Sequence, residues 1–400
     1  MSWSLARAHR LGRRMARVQG GAQGRRARSR PRARRHGRAL DFGGLSIERF
    51  YHFICKSDQA TLDLMTELGI AHRIRWRATS KGYYIDAKLY KWGDPLALLS
   101  FPLLGPIDRF RYARHVFMAS KRRDWSELEN SNARDWIVSQ AGEKIWNLLW
   151  KRSFDLKFYE LADSVSAPWL GVRIKRLAVS RRSIFQEELG YIDGGTEVLV
   201  GALVKGIEAN GGKVLCREPV QRVEIPDGNV VGARTPNGWY DASRDLDHGN
   251  PIRDQAHSRP ARRAPAKLDA IGNIGVVCVV LKLRKSVTPH FWVNINDTRV
   301  EVPGIVEFSN LRPTRERIVY VPLYMPQDNP KFSRDDAAFI EDSKNVVKIV
   351  NRDIRDDGFI DATLGRLRYA QPVCEPGFFA KLPPIQTPIR GLQIADTSFY

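Results

Sequence analysis

The first forty residues contain no lysine and no acidic side chain, yet they hold thirteen arginines, and 12–40 has almost no large apolar residue. A segment of that kind has nothing to bury, which excludes a core of its own and marks 1–40 as a disordered leader. It also accounts for much of the formal charge of +21, because the other 360 residues carry 52 basic against 44 acidic groups. The body is only mildly basic, and the total charge says little about its partner. Cysteine is scarce as well. Cys55, Cys216, Cys278 and Cys374 stand far apart with no C-x-x-C pair. That spacing argues against a zinc site or a disulfide framework and fits four buried thiols in a reducing compartment. Long apolar runs are missing too. "IGVVCVVLKL" (274–283) is about half the ~20 residues of a membrane-spanning helix and reads as a buried strand. Membrane contact, where made, is then peripheral. The lack of a secretory signal gives a cytoplasmic expectation.

Three readings fit the leader. It can be a nucleic-acid arm that neutralises phosphates. It can be a mitochondrial presequence, since "SLARAHRLGRRMARV" (4–18) suits a basic amphipathic helix with Leu5, Leu11, Met15 and Val18. It can also be the product of a shifted reading frame, because Arg, Ala, Gly and Pro are the residues of GC-rich codons. Thirteen arginines without one lysine favour the last. A second patch, 241–266, has only Leu246 and Ile252 as large apolar residues and is expected to be an irregular insertion.

The remainder is strongly patterned. "DQATLDLMTELGI" predicts a helix from Asp58 that ends near Gly69. The alternation over 75–95 predicts a β-hairpin turning at Asp86–Ala87. Residues 96–165 read as helical, with a cap at Ser131 or Asn132. Trp136, Ile137, Ile145, Trp146, Leu149 and Trp150 recur there as a helix–helix core. Over 190–238 a strand meets Gly194–Gly195, and Thr196 can cap a helix that buries Val200, Leu203, Val204 and Ile207 and stops at Gly211–Gly212. The strands "KVLC", "PVQRVEI" and "NVVGART" then predict an antiparallel meander. After the insertion, 271–325 is strand-rich, followed by a helix over 334–350 and the strand "ATLGRLRYAQPVC".

Three stretches, "DFGGLSIERFYHFI", "GYIDGGTEVLVGAL…GGKVLCREPVQRVE" and "TPIRGLQIADTSFY", resemble the FAD-dependent amine oxidase and protoporphyrinogen oxidase-like superfamily. The resemblance covers roughly 41–240 and 267–400. It implies a mixed α/β (α+β) architecture: an incomplete Rossmann-like FAD-binding domain from 41–75, 186–240 and 366–400, interleaved with a helical and antiparallel-sheet substrate domain from 76–185 and 267–365. It implies FAD as cofactor and Gly43, Gly44, Gly194, Gly195, Thr196, Val220, Asp396 and Thr397 as residues that touch it. Val220 would read the adenine through backbone groups, and Asp396 would accept from a ribityl hydroxyl. A terminal flavin-facing helix should follow Asp396, and the chain closes at Tyr400.

The diagnostic strand, G-x-G-x-x-G and helix are missing where residues 1–40 stand. "QGGAQG" (19–24) has no apolar strand before it and no acid after it. A bound pyrophosphate would lose its backbone donors. The expected function is hydride transfer from a C–H bond of a small-molecule substrate to flavin. The rivals are a UDP-galactopyranose mutase-like flavoenzyme, a non-catalytic pseudoenzyme and a basic nucleic-acid-binding protein. The last is disfavoured because the body lacks a recognition motif. No catalytic residue follows from the sequence. His52, Lys157, Tyr159 and Tyr191 are the pocket candidates, and His290 reads as a strand-end residue.

Overall fold

Alternate residues of the apolar run near 280 enter two different hydrophobic clusters, and the architecture follows from that two-sided burial. The computed structural model describes residues 25–27, 39–42, 45–242 and 271–393. Gly43, Gly44, Asp396, Thr397 and the insertion from residue 243 lie outside the described residues.

In chain order, strand β1 (Arg25–Ala27) precedes a small antiparallel pair, β2 (Ala39–Asp41) and β3 (Ser46–Glu48). Helix α1 (Gln59–Glu67) ends with Gly69 at a φ of +70°. Next come β4 (Ile74–Thr79) and the hairpin β5 (Lys81–Ile85) and β6 (Lys88–Trp92), whose turn residues Asp86 and Ala87 both have positive φ. A helical layer follows: α2 (Pro95–Ser100), α3 (Pro106–Lys121), α4 (Ala133–Ala141), α5 (Glu143–Trp146), α6 (Arg152–Phe158) and α7 (Ala167–Val179). Asn132 caps α4, its side-chain oxygen accepting from the Asp135 N–H at 2.7 Å. Trp136, Ile137, Ile145, Trp146 and Leu149 form one buried core with Phe154, Phe158 and Trp169.

The chain then forms β7 (Arg181–Ser183), β8 (Gln186–Ile192), α8 (Thr196–Ala209) and β9 (Lys213–Leu215). The three-stranded antiparallel meander is β10 (Arg222–Glu224), β11 (Gly232–Thr235) and β12 (Gly238–Asp241). The last part holds β13 (Asn273–Leu283), β14 (Trp292–Ile295), β15 (Gly304–Glu307), β16 (Arg317–Pro326), α9 (Asp336–Val350) and β17 (Phe359–Pro372). Seven strands make the main sheet, in the order β17-β13-β16-β15-β14-β5-β6. Val277, Val279 and Leu281 of β13 pack under α9, while Val276, Cys278 and Val280 face the segment around Tyr51.

Several expectations are corrected. The arginine-rich leader contributes β1, which pairs in parallel with β9; backbone pairing needs no apolar side chain, so composition did not reveal it. That pairing also removes β9 from the meander, whose third strand is β12. The 75–95 hairpin is shorter than expected, because β4 leaves it at Ser80 to pair with β8. The sheet is mixed rather than antiparallel throughout, since β14 and β5 run parallel. Of the apolar face of α8 only Leu199 is fully buried, and Val200, Leu203, Val204 and Ile207 are half-buried. Cys216 is half-buried, whereas the other three thiols are buried.

Gly304 shows how closely β14 and β15 approach. A Cβ at this position would run into the Val293 carbonyl oxygen. Gly304→Ala is therefore expected to destabilise the fold by about 3 kcal/mol, since backbone cannot yield as a flexible side chain does. Thermal melting followed by circular dichroism checks this, and an unchanged midpoint would refute it.

Candidate functional site

The Gly194–Gly195 pair makes a sharp strand-to-helix turn, with φ of +89° and +77°. Only glycine adopts two such angles in succession without strain. The protein's own side chains close in on the turn: a Cβ on Gly194 would lie 2.7 Å from Val198 and 2.9 Å from Arg73, and one on Gly195 would lie 3.0 Å from Glu48 Oε1. Thr196 is not the cap but the first helical residue. Its N–H donates to Glu48 Oε1 at 2.9 Å, so a carboxylate from β3 serves the N-terminus of α8. Glu48 is 5% exposed; its Oε2 lies 4.0 Å from Arg312 and has no hydrogen-bond donor among the described residues.

From Glu48 an aromatic path runs across the sheet. Tyr320 donates its hydroxyl to the Glu48 carbonyl at 2.7 Å. Tyr51 packs edge-on against Tyr320 and Trp292, with ring centroids 5.8 and 5.4 Å away. Its hydroxyl lies 3.2 Å from that of Tyr324. Burial pushes both phenols up, Tyr324 to about 12, so both remain protonated donors near neutrality. Beyond Tyr324 lies Lys157 of α6, its ammonium 4.9 Å from the Tyr324 ring centre, 5.3 Å from Trp169 and 5.4 Å from Phe158. Burial among these rings, and then the nearby Arg173 guanidinium, push Lys157 down to about 7. Arg173 stacks 3.6 Å over Trp169 and reaches Gln371 at 3.4 Å. The Trp169 indole nitrogen is buried and has no hydrogen-bond partner among the described residues. These packed aromatic side chains thus bring together two neutral phenols and an amine pushed down to about 7.

Of the residues expected from sequence, Tyr191 packs in the same cluster as Tyr51, Trp292 and Tyr324, and His52 follows Tyr51 in the chain. Tyr159 departs: it packs against the cluster on the opposite face of the sheet, beside Lys331 and Glu301, because α6 ends there with a positive φ at Tyr159. Val220 lies two residues ahead of β10 rather than within it. His290 precedes β14, its Nδ1 lying 2.8 Å from the Ser80 hydroxyl. Sequence reasoning missed Glu48, Tyr51, Arg173 and Tyr324. "SIERFYHFI" carried a signal for the first two, an acid and a phenol in an otherwise apolar segment. An open groove of about 490 Å³ lies on other elements, the meander, lined by Arg222, Glu224, Arg234 and Trp239.

The profile of the flavin containing amine oxidoreductase family matches residues 27–331, and the chain belongs to that family. No curated protein matches the chain. Among solved structures it is similar to a protein provisionally described as a protoporphyrinogen oxidase, from Exiguobacterium sp. 255-15. That match has a TM-score of 0.69 and 13% identity, over 98% of this chain and 91% of the other. Reduced UDP-galactopyranose mutase is similar at a TM-score of 0.66 and 13% identity, over 96% and 86%. Wild-type putrescine oxidase bound to putrescine follows at 0.63 and 13%, over 98% and 90%. The fold is therefore that of the FAD-binding amine oxidase proteins, and the chain is a flavin-dependent oxidoreductase with FAD as its cofactor.

The described residues fit part of that cofactor. Glu48 Oε2, a buried acceptor without a hydrogen-bond donor among the described residues, suits a hydroxyl-bearing chain. At this turn the Thr196 N–H is already taken by Glu48 Oε1, and the side-chain donors nearby are Arg73 and Arg312. No helix among the described residues is long and apolar enough to cross a membrane.

Proposed function

We propose that the chain oxidises a C–H bond adjacent to a nitrogen or oxygen in a small, largely apolar substrate held between Tyr51, Tyr324 and Trp169. FAD, when bound, accepts the hydride. The chain's own side chains do the rest. Neutral Lys157 takes the proton from the substrate N–H or O–H as the adjacent C–H is lost, leaving a C=N or C=O product. The phenols of Tyr51 and Tyr324 orient the polar end, and the ring walls exclude water. Glu48 would accept from a ribityl hydroxyl beside the Gly194–Gly195 turn. The observation that carries this reading is the amine of Lys157, half-buried among three aromatic rings and pushed down to about 7.

The mutase shares the fold to nearly the same degree, so the fold does not separate the two chemistries. Anaerobic mixing does. The flavin-loaded protein is expected to bleach on addition of an amine or partly saturated ring compound from a substrate panel, with one reduced flavin per product formed. A protein that bleaches only with dithionite, and then turns over UDP-galactose without net oxidation, would overturn the proposal.

A further inference from the structure

Helix α3 carries a second surface that the chemistry leaves unused. Its inner face is already occupied: His115 and Ala119 are buried, Tyr112 and Val116 pack into the helical core, and the His115 ring lies 4.5 Å from Trp136. Its outer face exposes Ile107 at 68%, Phe110 at 69%, Phe117 at 59% and Met118 at 53%. Arg111, Arg114 and Lys121 are exposed among them. With 3.6 residues per turn these seven positions fall within about 120° of the helix circumference. The one acid of α3, Asp108, lies off that arc; it accepts from the Gly105 N–H and pairs with Lys144 at 3.0 Å. The preceding α2 adds exposed Leu96 and Leu99.

Four large apolar side chains on one solvent-facing stripe form a patch that a chain with no partner there has no reason to keep. The charges in it are all basic and all on long stems. Such stems lie along an apolar surface and carry their heads outward to headgroup depth. A helix of sixteen residues, about 24 Å long, lies flat in an interface rather than crossing it. The sign of the charge selects the partner, since an anionic lipid surface attracts each basic residue near it. We infer that the outer face of α3, together with Leu96 and Leu99 of α2, docks the protein onto the surface of an anionic lipid bilayer.

The test is co-sedimentation of the full chain with phosphatidylcholine vesicles, with and without phosphatidylglycerol. Thirteen arginines in the leader would also attract anionic vesicles by charge alone, so the variants leave it intact. Binding to phosphatidylglycerol vesicles is expected to fall at least about tenfold in F110S/F117S, with an unchanged melting curve. In R111E/R114E it is expected to fall similarly and to lose part of its salt dependence. Wild-type binding that persists in high salt supports the apolar contribution. Equal binding by F110S/F117S and wild type would overturn the inference, assigning attachment to the leader. So would failure of the wild type to bind, or a dimer abolished by F110S/F117S without any vesicle binding, which would make a second copy the occupant.

Discussion

Lys157→Met is expected to lower kcat/KM by at least about a hundredfold, the range of a lost general base, while flavin content stays unchanged. In the wild type, kcat/KM should rise with pH through about 7 and flatten above it, because only the neutral amine accepts a proton. The variant should lose that limb. Lys157→Arg should be as inactive as Lys157→Met, since a guanidinium stays protonated at every accessible pH. A merely structural lysine predicts the opposite pattern, with the arginine variant rescued and the pH limb intact. Stability gives an independent readout. The folded state holds the Lys157 proton less tightly than the unfolded chain, whose ordinary value is 10.5. The unfolded chain therefore binds more protons between about 7 and 10.5, and the fold gains stability as pH rises through that window. Lys157→Met should remove this gain and melt higher than wild type at pH 6. Equal melting of both proteins at pH 6 and pH 9 would show that the amine is not held in an apolar setting.

The second large effect concerns the cofactor. Replacing residues 1–38 with a strand, a G-x-G-x-x-G turn and a helix is expected to tighten FAD binding at least about a thousandfold. No two glycines stand at i and i+2 anywhere in the 400 residues, so the fingerprint has not moved elsewhere. Three backbone hydrogen bonds to a charged pyrophosphate, at about 1.5 kcal/mol each, account for the factor. The natural chain should accordingly lose FAD on dilution and recover it when FAD is added back. Fluorescence titration of flavin-free protein measures both forms. Equal affinities would mean that the donors come from other residues of this chain.

Local structure was largely legible in the sequence. The strand at 273–283, the helix capped by Asn132 and the turn at Gly194–Gly195 each rest on neighbours in the chain, through apolar runs, capping chemistry and glycine's tolerance of positive φ. Family membership was legible for the same reason, since it rested on short contiguous segments. The site was not. Glu48 reaches the Thr196 N–H across 148 positions, and Tyr51 meets Tyr324 across 273. No periodicity encodes such pairings. Lys157 stood among the pocket candidates, but only the sheet, which brings Tyr324, and α7, which brings Trp169, set its amine among aromatic rings. By itself the sequence determined which segments become strand or helix, because those choices are made within a few residues. Only the tertiary structure decided which charges lose their water, because desolvation depends on everything packed nearby in space.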